Sequence, residues 1–525
     1  MVRVLIADKM SPSAMEVFKN RGVDVDVITG LSKEELIKIM PEYDGLAVRS
    51  ATRPDADIIA AGTKLKVIGR AGIGTDNIDK KAATANGVVV MNTPFGNAIT
   101  TAEHAISLLL ACARQIPAAS ERTQAGEWPK SDFKGVELFN KTLGVIGCGN
   151  IGALVAERAL GLKMKVVAFD PYLTQERAVQ IGVEKVELED VFKRADAITL
   201  HTPLTDGTRG IVSKEALAMA KPGLILVNAA RGGLVDEQAL KEALDSGHVR
   251  AAALDVFGVE PAKDNILFGT KNFIATPHLG ASTLEAQENV AVQIAEQMSD
   301  YLLSGAVTNA LNMPSISAEE APRLKPFVDL AEKLGSLTGQ LLEAPIASVE
   351  FCYLGDVAAL NTKPMTSAAL SGLLKPMIGD VNMVSAPSIA SDRGIEVKES
   401  TQDDAKDHDN LIKLVLTTKS GKTYEIAGSI YGGEPRLLNL FGVALDAAFT
   451  PAMLYVRNED KPGFIGALGT ILGENNVNIA TFFLGRAQQG GRAVCLVSVD
   501  APVSQEIQDQ VRQATHVKFV RALHF

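Results

Sequence analysis

The sequence predicts an α/β protein in which one parallel-sheet unit is inserted into another, followed by two smaller α+β modules. Three observations carry this reading. Short runs rich in Val, Ile and Leu alternate with helix-like segments from Val2 onward, the pattern of strands buried on both faces of a parallel sheet. A helical segment from about Ser282 to Leu303 follows the last of these runs and is long enough to cross back to the first unit. The length, 525 residues, suits roughly three or four domains.

The first unit rests on the runs Val2–Ala7, Val25–Ile28, Gly45–Val48, Val67–Gly69 and Val88–Met91. A helical stretch from Thr101 to Gln115 leads into the second unit, with strands expected at Lys141–Gly147, Val166–Phe169, Ala197–His201, Leu224–Asn228 and Phe273–Ala275. Leu311–Pro322 mixes Pro, Ser and acidic residues as an exposed connector does. From there to Thr450 the composition stays globular, without a titratable cluster or phosphate loop. Pro451 opens a last module: a strand at Met453–Val456, a turn at Asp460–Gly463, a helix to Glu474 and a strand from Val477. The expected division is 1–97 with 281–312 for substrate, 98–280 for a dinucleotide, 313–450 as an intervening domain and 451–525 as a regulatory one.

A net charge of −10 with dispersed acidic residues offers neither a phosphate-backbone footprint nor a basic amphipathic face, so no nucleic acid and no membrane is expected as partner. Cys112, Cys148, Cys352 and Cys495 are scattered, with no CxxC pair and no metal-ligand spacing; reduced thiols and no metal are expected. Met1–Asp8 reads as a buried strand and lacks the features of a secretory signal. The longest apolar stretch, Ala105–Ala113, is far shorter than the roughly 20 residues a bilayer needs and is flanked by His104 and Arg114. A cytoplasmic protein is expected.

Gly147-Cys-Gly149-Asn150-Ile151-Gly152 matches GxGxxG between an apolar strand and a helical run. Its first glycine permits the tight turn, the second lets backbone approach a pyrophosphate, and the third lets helix pack on strand. Asp170 ends the next strand, where it would accept hydrogen bonds from the adenosine ribose and repel a 2′-phosphate. This is a Rossmann-type site, and the expected cofactor is NAD rather than NADP.

Arg231, Glu260 and His278 follow later strands of this unit, at the end where open α/β sheets bind ligands. Oxidising a hydroxyacid sends hydride from the carbinol carbon to a nicotinamide while a base takes the hydroxyl proton, and imidazole suits that task. His278 is the expected base, Glu260 its orienting carboxylate and Arg231 the fork for the substrate carboxylate. His201 is expected to shape the cofactor pocket and His104 to pack.

With these residues in hand, the chain resembles the long form of the D-2-hydroxyacid dehydrogenase family over essentially its whole length. The most specific segments are Val48-Arg-Ser-Ala-Thr52, Gly69-Arg-Ala-Gly-Ile-Gly-Thr-Asp-Asn77, Asn92-Thr-Pro-Phe-Gly-Asn97, Asn228-Ala-Ala-Arg-Gly-Gly233, Ala253-Leu-Asp-Val-Phe257 and Pro277-His-Leu-Gly-Ala-Ser-Thr283. The resemblance implies a flavodoxin-like substrate domain and oxidation of 3-phosphoglycerate at the entry to serine biosynthesis. It implies cofactor contacts at Asn150, Ile151, Asp170, Thr202, Ala229, Ala230, Asp255, Gly280 and Ala281, and substrate contacts at Arg49, Ser50, Arg70 and Asn97, with Arg53 a further candidate. The last module resembles an ACT domain, a βαββαβ fold that pairs across subunits, and the family's serine site maps onto Asn458, Asp460 and Asn478. A homotetramer is implied as well. The middle domain departs from the family pattern: Arg436 is the only basic residue from Gly432 to Leu445, which puts anion regulation there in doubt. Two other readings stay open, a dehydrogenase of another small 2-hydroxyacid such as glycerate or lactate, and a non-catalytic NAD sensor.

Overall fold

The computed structural model describes residues 2–317, 319–379 and 381–525, and these build four sheets. The first is all parallel, in the order Asp24–Val27, Arg3–Ile6, Gly45–Val48, Val67–Arg70, Val89–Met91. The helix Leu284–Ser304 returns to it, burying Val290, Ile294 and Met298 against Val4 and Val67. Gly69 makes that approach possible, since a Cβ there would lie 2.3 Å from Met298 Sδ.

The second sheet has seven parallel strands in the order Phe273–Ala275, Val249–Leu254, Leu224–Asn228, Ala197–Leu200, Thr142–Ile146, Lys165–Phe169, Glu184–Lys185. Strand order reverses between Thr142–Ile146 and Ala197–Leu200, the switch point where such sheets open a ligand crevice. Val249–Leu254 was not expected as a strand: Val-Arg-Ala-Ala-Ala-Leu is poor in β-branched residues, and burial within the sheet overrides that propensity.

The third sheet, mixed and six-stranded, runs Glu396–Gln402, Ile346–Gly355, Asn410–Thr418, Thr423–Tyr431, Glu434–Leu440, Val443–Ala448. Helices Ala321–Leu341 and Lys363–Ile378 cross at backbone contact, because a Cβ on Gly335 or Gly339 would meet the carbonyl oxygen of Ala369 or Leu373 at 2.1 and 2.3 Å. Arg436 Nε donates to Asp446 Oδ1 at 2.8 Å, so the basic residue noted above is charge-paired within its own hairpin.

The last module is βαββαβ, with antiparallel sheet order Ile479–Arg486, Arg492–Val499, Ala452–Glu459, Val517–His524. Helices Phe464–Glu474 and Gln505–Gln513 cover one face, while Met453, Tyr455 and Leu496 on the other join a core with Leu437 and Ala447 of the third sheet. At the end of the Val517–His524 edge, two glutamine side chains take outward backbone groups of Ala522 and His524. Gln508 Oε1 accepts from Ala522 N–H at 3.0 Å, and the Gln340 amide accepts from His524 N–H at 3.0 Å and donates to its carbonyl at 2.9 Å. Among the described residues no helix is long and apolar enough to cross a membrane, no acidic, His or Cys cluster suits a metal, and all four cysteines are free and buried.

Candidate active site

The glycine loop joins strand Thr142–Ile146 to helix Asn150–Gly161. Gly147 has φ +90°, and a Cβ on it would sit 2.6 Å from the His201 carbonyl. A Cβ on Gly152 would lie 2.0 Å from the carbonyl oxygen of Gly147, so this glycine seats the helix on the strand. Gly149 faces open space, with nothing within 4 Å of its would-be Cβ. It stands at the N-terminus of a 12-residue helix, next to Asn150 and Ile151, where backbone N–H groups and helix dipole favour a phosphate. Asp170 lies across this loop, its carboxylate accepting from Cys148 N–H and Tyr172 N–H, both at 2.8 Å. These residues fit a dinucleotide. Thr202 adjoins Gly147, while Ala229 and Ala230 follow strand Leu224–Asn228. His201 is half-buried, and desolvation pushes its imidazole down to about 4, so it faces the loop neutral; Nε2 pairs with Thr199 Oγ1 at 2.9 Å.

Asp255 is fully buried and organises the segment that carries His278. Its carboxylate accepts from Thr276 Oγ1 at 2.6 Å, Leu279 N–H at 2.7 Å and Gly280 N–H at 2.8 Å, and His104 Nε2 lies 3.2 Å away. Burial alone would raise this carboxyl, yet the bonds from His104, Thr276 and Leu279 outweigh it and hold Asp255 below its ordinary value. Sequence reasoning found Asp255 but not its partners: His104, expected only to pack, also meets this carboxylate. His278 then adopts φ +55°, an uncommon conformation for a side-chain-bearing residue and one that marks functional sites. Its Nδ1 contacts Glu260 Oε2 at 2.8 Å, and Glu260 Oε1 accepts from Phe257 N–H at 3.0 Å. Burial pushes the Glu260 carboxyl up, but the His278 and Phe257 hydrogen bonds win and hold it below its ordinary value. With Nδ1 tied to a carboxylate and the ring half exposed, Nε2 is the nitrogen that faces outward.

Guanidinium groups from both α/β units also converge. Arg231 Nε donates to Asp76 Oδ2 at 2.8 Å, and a Cβ on Gly74 would lie 1.9 Å from Arg231 Nη2 and 3.2 Å from Arg70 Nη1. Arg70 is pushed down to about 10, first by burial and next by the charge of Arg231, with Arg49 adding to it and Asp76 and Asp8 opposing. Arg49 is set by Asp8, whose carboxylate accepts from Arg49 N–H at 2.6 Å and Thr52 Oγ1 at 2.6 Å. Ser50 on the same loop is exposed. Asn97 precedes helix Ala98–Arg114, and its Oδ1 is buried without a hydrogen-bond partner. Gly280 is tied by its carbonyl to Thr101 Oγ1 at 2.9 Å, with Ala281 beside it. The chain thus carries a histidine–carboxylate pair, a cluster of three guanidinium groups and a glycine-rich helix end, all at the ends of strands of the two units or on the loops that follow them.

Comparison with known proteins follows the same lines. Residues 106–280 match the model of the D-isomer specific 2-hydroxyacid dehydrogenase NAD binding domain, 323–441 that of the D-3-phosphoglycerate dehydrogenase intervening domain, and 452–516 that of the ACT domain. The D-3-phosphoglycerate dehydrogenase of Archaeoglobus fulgidus is 43% identical over 516 residues, covering 97% of each chain. That of Bacillus subtilis is 41% identical over 520 residues, covering 98% of each. The chain belongs to the D-3-phosphoglycerate dehydrogenase family.

Family membership and the glycine loop make it an NAD-dependent oxidoreductase. Among solved structures, a Thermus thermophilus protein is similar with TM-score 0.55 and 34% identity, over 59% of this chain and all of that one. The D-lactate dehydrogenase of Escherichia coli aligns with TM-score 0.54 and 27% identity, over 59% of this chain and 100% of its own.

The residues onto which the family's effector site maps are not brought together within one chain. Asn458 pairs with Ala493 and adjoins Asp460, whose carboxylate accepts from Gly490 N–H at 2.9 Å and Arg486 Nη1 at 3.0 Å. Asn478 precedes Ile479, which pairs with Val499 at the other end of the same strand, and it donates to Asp500 at 2.8 Å. At about 3.3 Å per residue the two ends stand roughly 20 Å apart. Asn458 Oδ1 is buried without a partner.

Proposed function

We propose that this chain oxidises 3-phosphoglycerate to 3-phosphohydroxypyruvate with NAD, the first step of serine biosynthesis, with Arg231, Glu260 and His278 as its catalytic residues. The observation that carries the reading is the convergence of Arg49, Arg70 and Arg231, together with the His278–Glu260 pair, since a substrate with both a carboxylate and a phosphate calls for more than one guanidinium. Arg231 takes the carboxylate in a fork and polarises the developing carbonyl. Arg70 and Arg49, with Ser50 and Asn97, hold the phosphate end. His278 Nε2 accepts the hydroxyl proton, while the ionised Glu260 fixes the opposite ring nitrogen and stabilises the imidazolium that forms. NAD, held by Gly147, Gly149, Asn150, Ile151, Gly152, Asp170, Thr202, Ala229, Ala230, Asp255, Gly280 and Ala281, supplies the hydride acceptor.

Serine feedback through Asn458, Asp460 and Asn478 belongs to the same proposal, and the roughly 20 Å between the two groups means that a second chain must complete that site. Helix Ile116–Gln124 supports assembly, since it buries none of its residues in the chain and leads to Trp128, 84% exposed. The reading includes a homotetramer, a cytoplasmic enzyme, and the division 1–97 with 281–312, 98–280, 313–450 and 451–525.

The test is initial NADH formation from 3-phosphoglycerate against unphosphorylated glycerate, with NAD and with NADP, each with and without serine. Preference for the phosphorylated acid with NAD is the expected result. Turnover only with glycerate or another 2-hydroxyacid would keep the mechanism and discard the substrate, and binding without turnover would leave an NAD sensor.

A further inference from the structure

Asp76 stands on the loop after strand Val67–Arg70, and Arg231 on the loop after Leu224–Asn228, so their 2.8 Å ion pair joins the two α/β units across the cleft. Arg231 Nη1 gives one of its two hydrogens to the Ala230 carbonyl at 2.7 Å, and Nε with Nη2 is the fork edge with neither nitrogen bonded inside its own unit. Asp76 holds the Nε of that edge. A substrate carboxylate seated bidentately on Arg231 and Asp76 in its present position therefore need the same N–H. Asp76 is also an opposing charge on Arg70, so it weakens the pocket's pull on an anion twice over.

A carboxylate in this place could serve as a strut that fixes Arg231 or as a rival of the substrate. A strut must itself be fixed. The Asp76 side chain is 69% exposed, and among the described residues it has no hydrogen-bond partner other than Arg231, whereas Arg231 is already anchored through Ala230. The geometry points to Asp76 as an internal carboxylate that substrate displaces and that reclaims Arg231 when product leaves. It sets how tightly the site holds its anions. This rests on the assignment of Arg231 to the substrate carboxylate.

The measurement is calorimetric titration of 3-phosphoglycerate into the full-length enzyme saturated with NADH, a combination that cannot turn over, for wild type, Asp76→Asn, Arg231→Ala and the double variant. Asp76→Asn should tighten binding about two- to fivefold, the scale of an exposed ion pair, and the gain should shrink in the Arg231→Ala background to the smaller part that acts through the charge on Arg70. Unchanged or weaker binding in Asp76→Asn overturns the competitor role, and weaker binding would mark a strut. An equal gain in both backgrounds also overturns it, since that is a general charge effect. If Arg231→Ala alone leaves affinity intact, the assignment of Arg231 fails first, and the inference falls with it for a separately visible reason. Melting curves of Asp76→Asn should match wild type, as the side chain is exposed.

Discussion

Arg70 carries a cost that can be measured. Its guanidinium is held down to about 10 against an ordinary 12.5, mainly by burial and then by Arg231. At about 1.36 kcal/mol per pH unit, the folded site disfavours this charge by about 3 kcal/mol. At neutral pH the group is protonated in folded and unfolded chains alike, so the folded state bears the cost. Arg70→Met keeps most of the stem and removes the charge, giving up one long hydrogen bond to the Arg49 carbonyl at 3.4 Å. Allowing about 1 kcal/mol for that bond, the variant should be more stable by about 1–2 kcal/mol, or roughly 2–4 °C in melting temperature per kcal/mol for units of this size. Differential scanning fluorimetry in a chloride buffer reads this directly. Adding 3-phosphoglycerate should raise the wild-type melting temperature by mass action and move the variant much less. A variant that melts lower than wild type would refute the reasoning, because Arg70 would then stabilise the fold rather than await an anion.

His278→Ala should lower kcat by about 10²- to 10⁴-fold while leaving the NAD affinity, read by fluorescence titration, unchanged; a near-normal rate would remove His278 as base. Gly149→Ala should fold normally yet bind NAD poorly, whereas Gly152→Ala, with its 2.0 Å clash on backbone, should lose both stability and cofactor; equal behaviour of the two would contradict the geometry. Asp170→Ala should weaken NAD by about 1.5–3 kcal/mol, tenfold or more, and narrow the preference over NADP; an unchanged ratio of the two kcat/KM values would count against Asp170 as the discriminator. Because the folded value of Glu260 is depressed, its ionised form stabilises the site above the ordinary 4.5 and this is lost only as pH falls through the lower folded value. A fall in oxidation rate that sets in well above the ordinary carboxylate range therefore does not come from Glu260, and one confined to that range would put Glu260 rather than another group in control.

How much could be read in advance depended on whether the information was local. Gly45–Val48 and Leu224–Asn228 announce themselves as strands because a parallel sheet covered on both faces needs continuous apolar runs, and the glycines of the phosphate loop because each meets a separate local demand. The alanines of Val249–Leu254 carry no such signal, since only their neighbours in the sheet decide their state. His278 and Glu260 could be paired by chemical logic across 18 residues, but Asp76 and Arg231, 155 apart, meet only once two units close on each other. His104 misled for the same reason: a histidine on a core helix looks like packing until Asp255 is seen beside it. Asn478 belongs by motif with Asn458, and only strand register shows that the two lie at opposite ends of one sheet.

That sheet has one further property. At the C-terminal end of Val517–His524 the outward N–H of Ala522 and the N–H and C=O of His524, which would otherwise template another strand, are answered by the side-chain amides of Gln508 and Gln340. The opposite border, Ile479–Arg486, meets the hairpin strand Val443–Ala448 near Gly485, where a Cβ would lie 2.5 Å from the Ala444 carbonyl oxygen. A sheet whose borders are answered in this way offers little bare backbone to a stray strand, so the module resists the open-ended stacking that exposed edges invite.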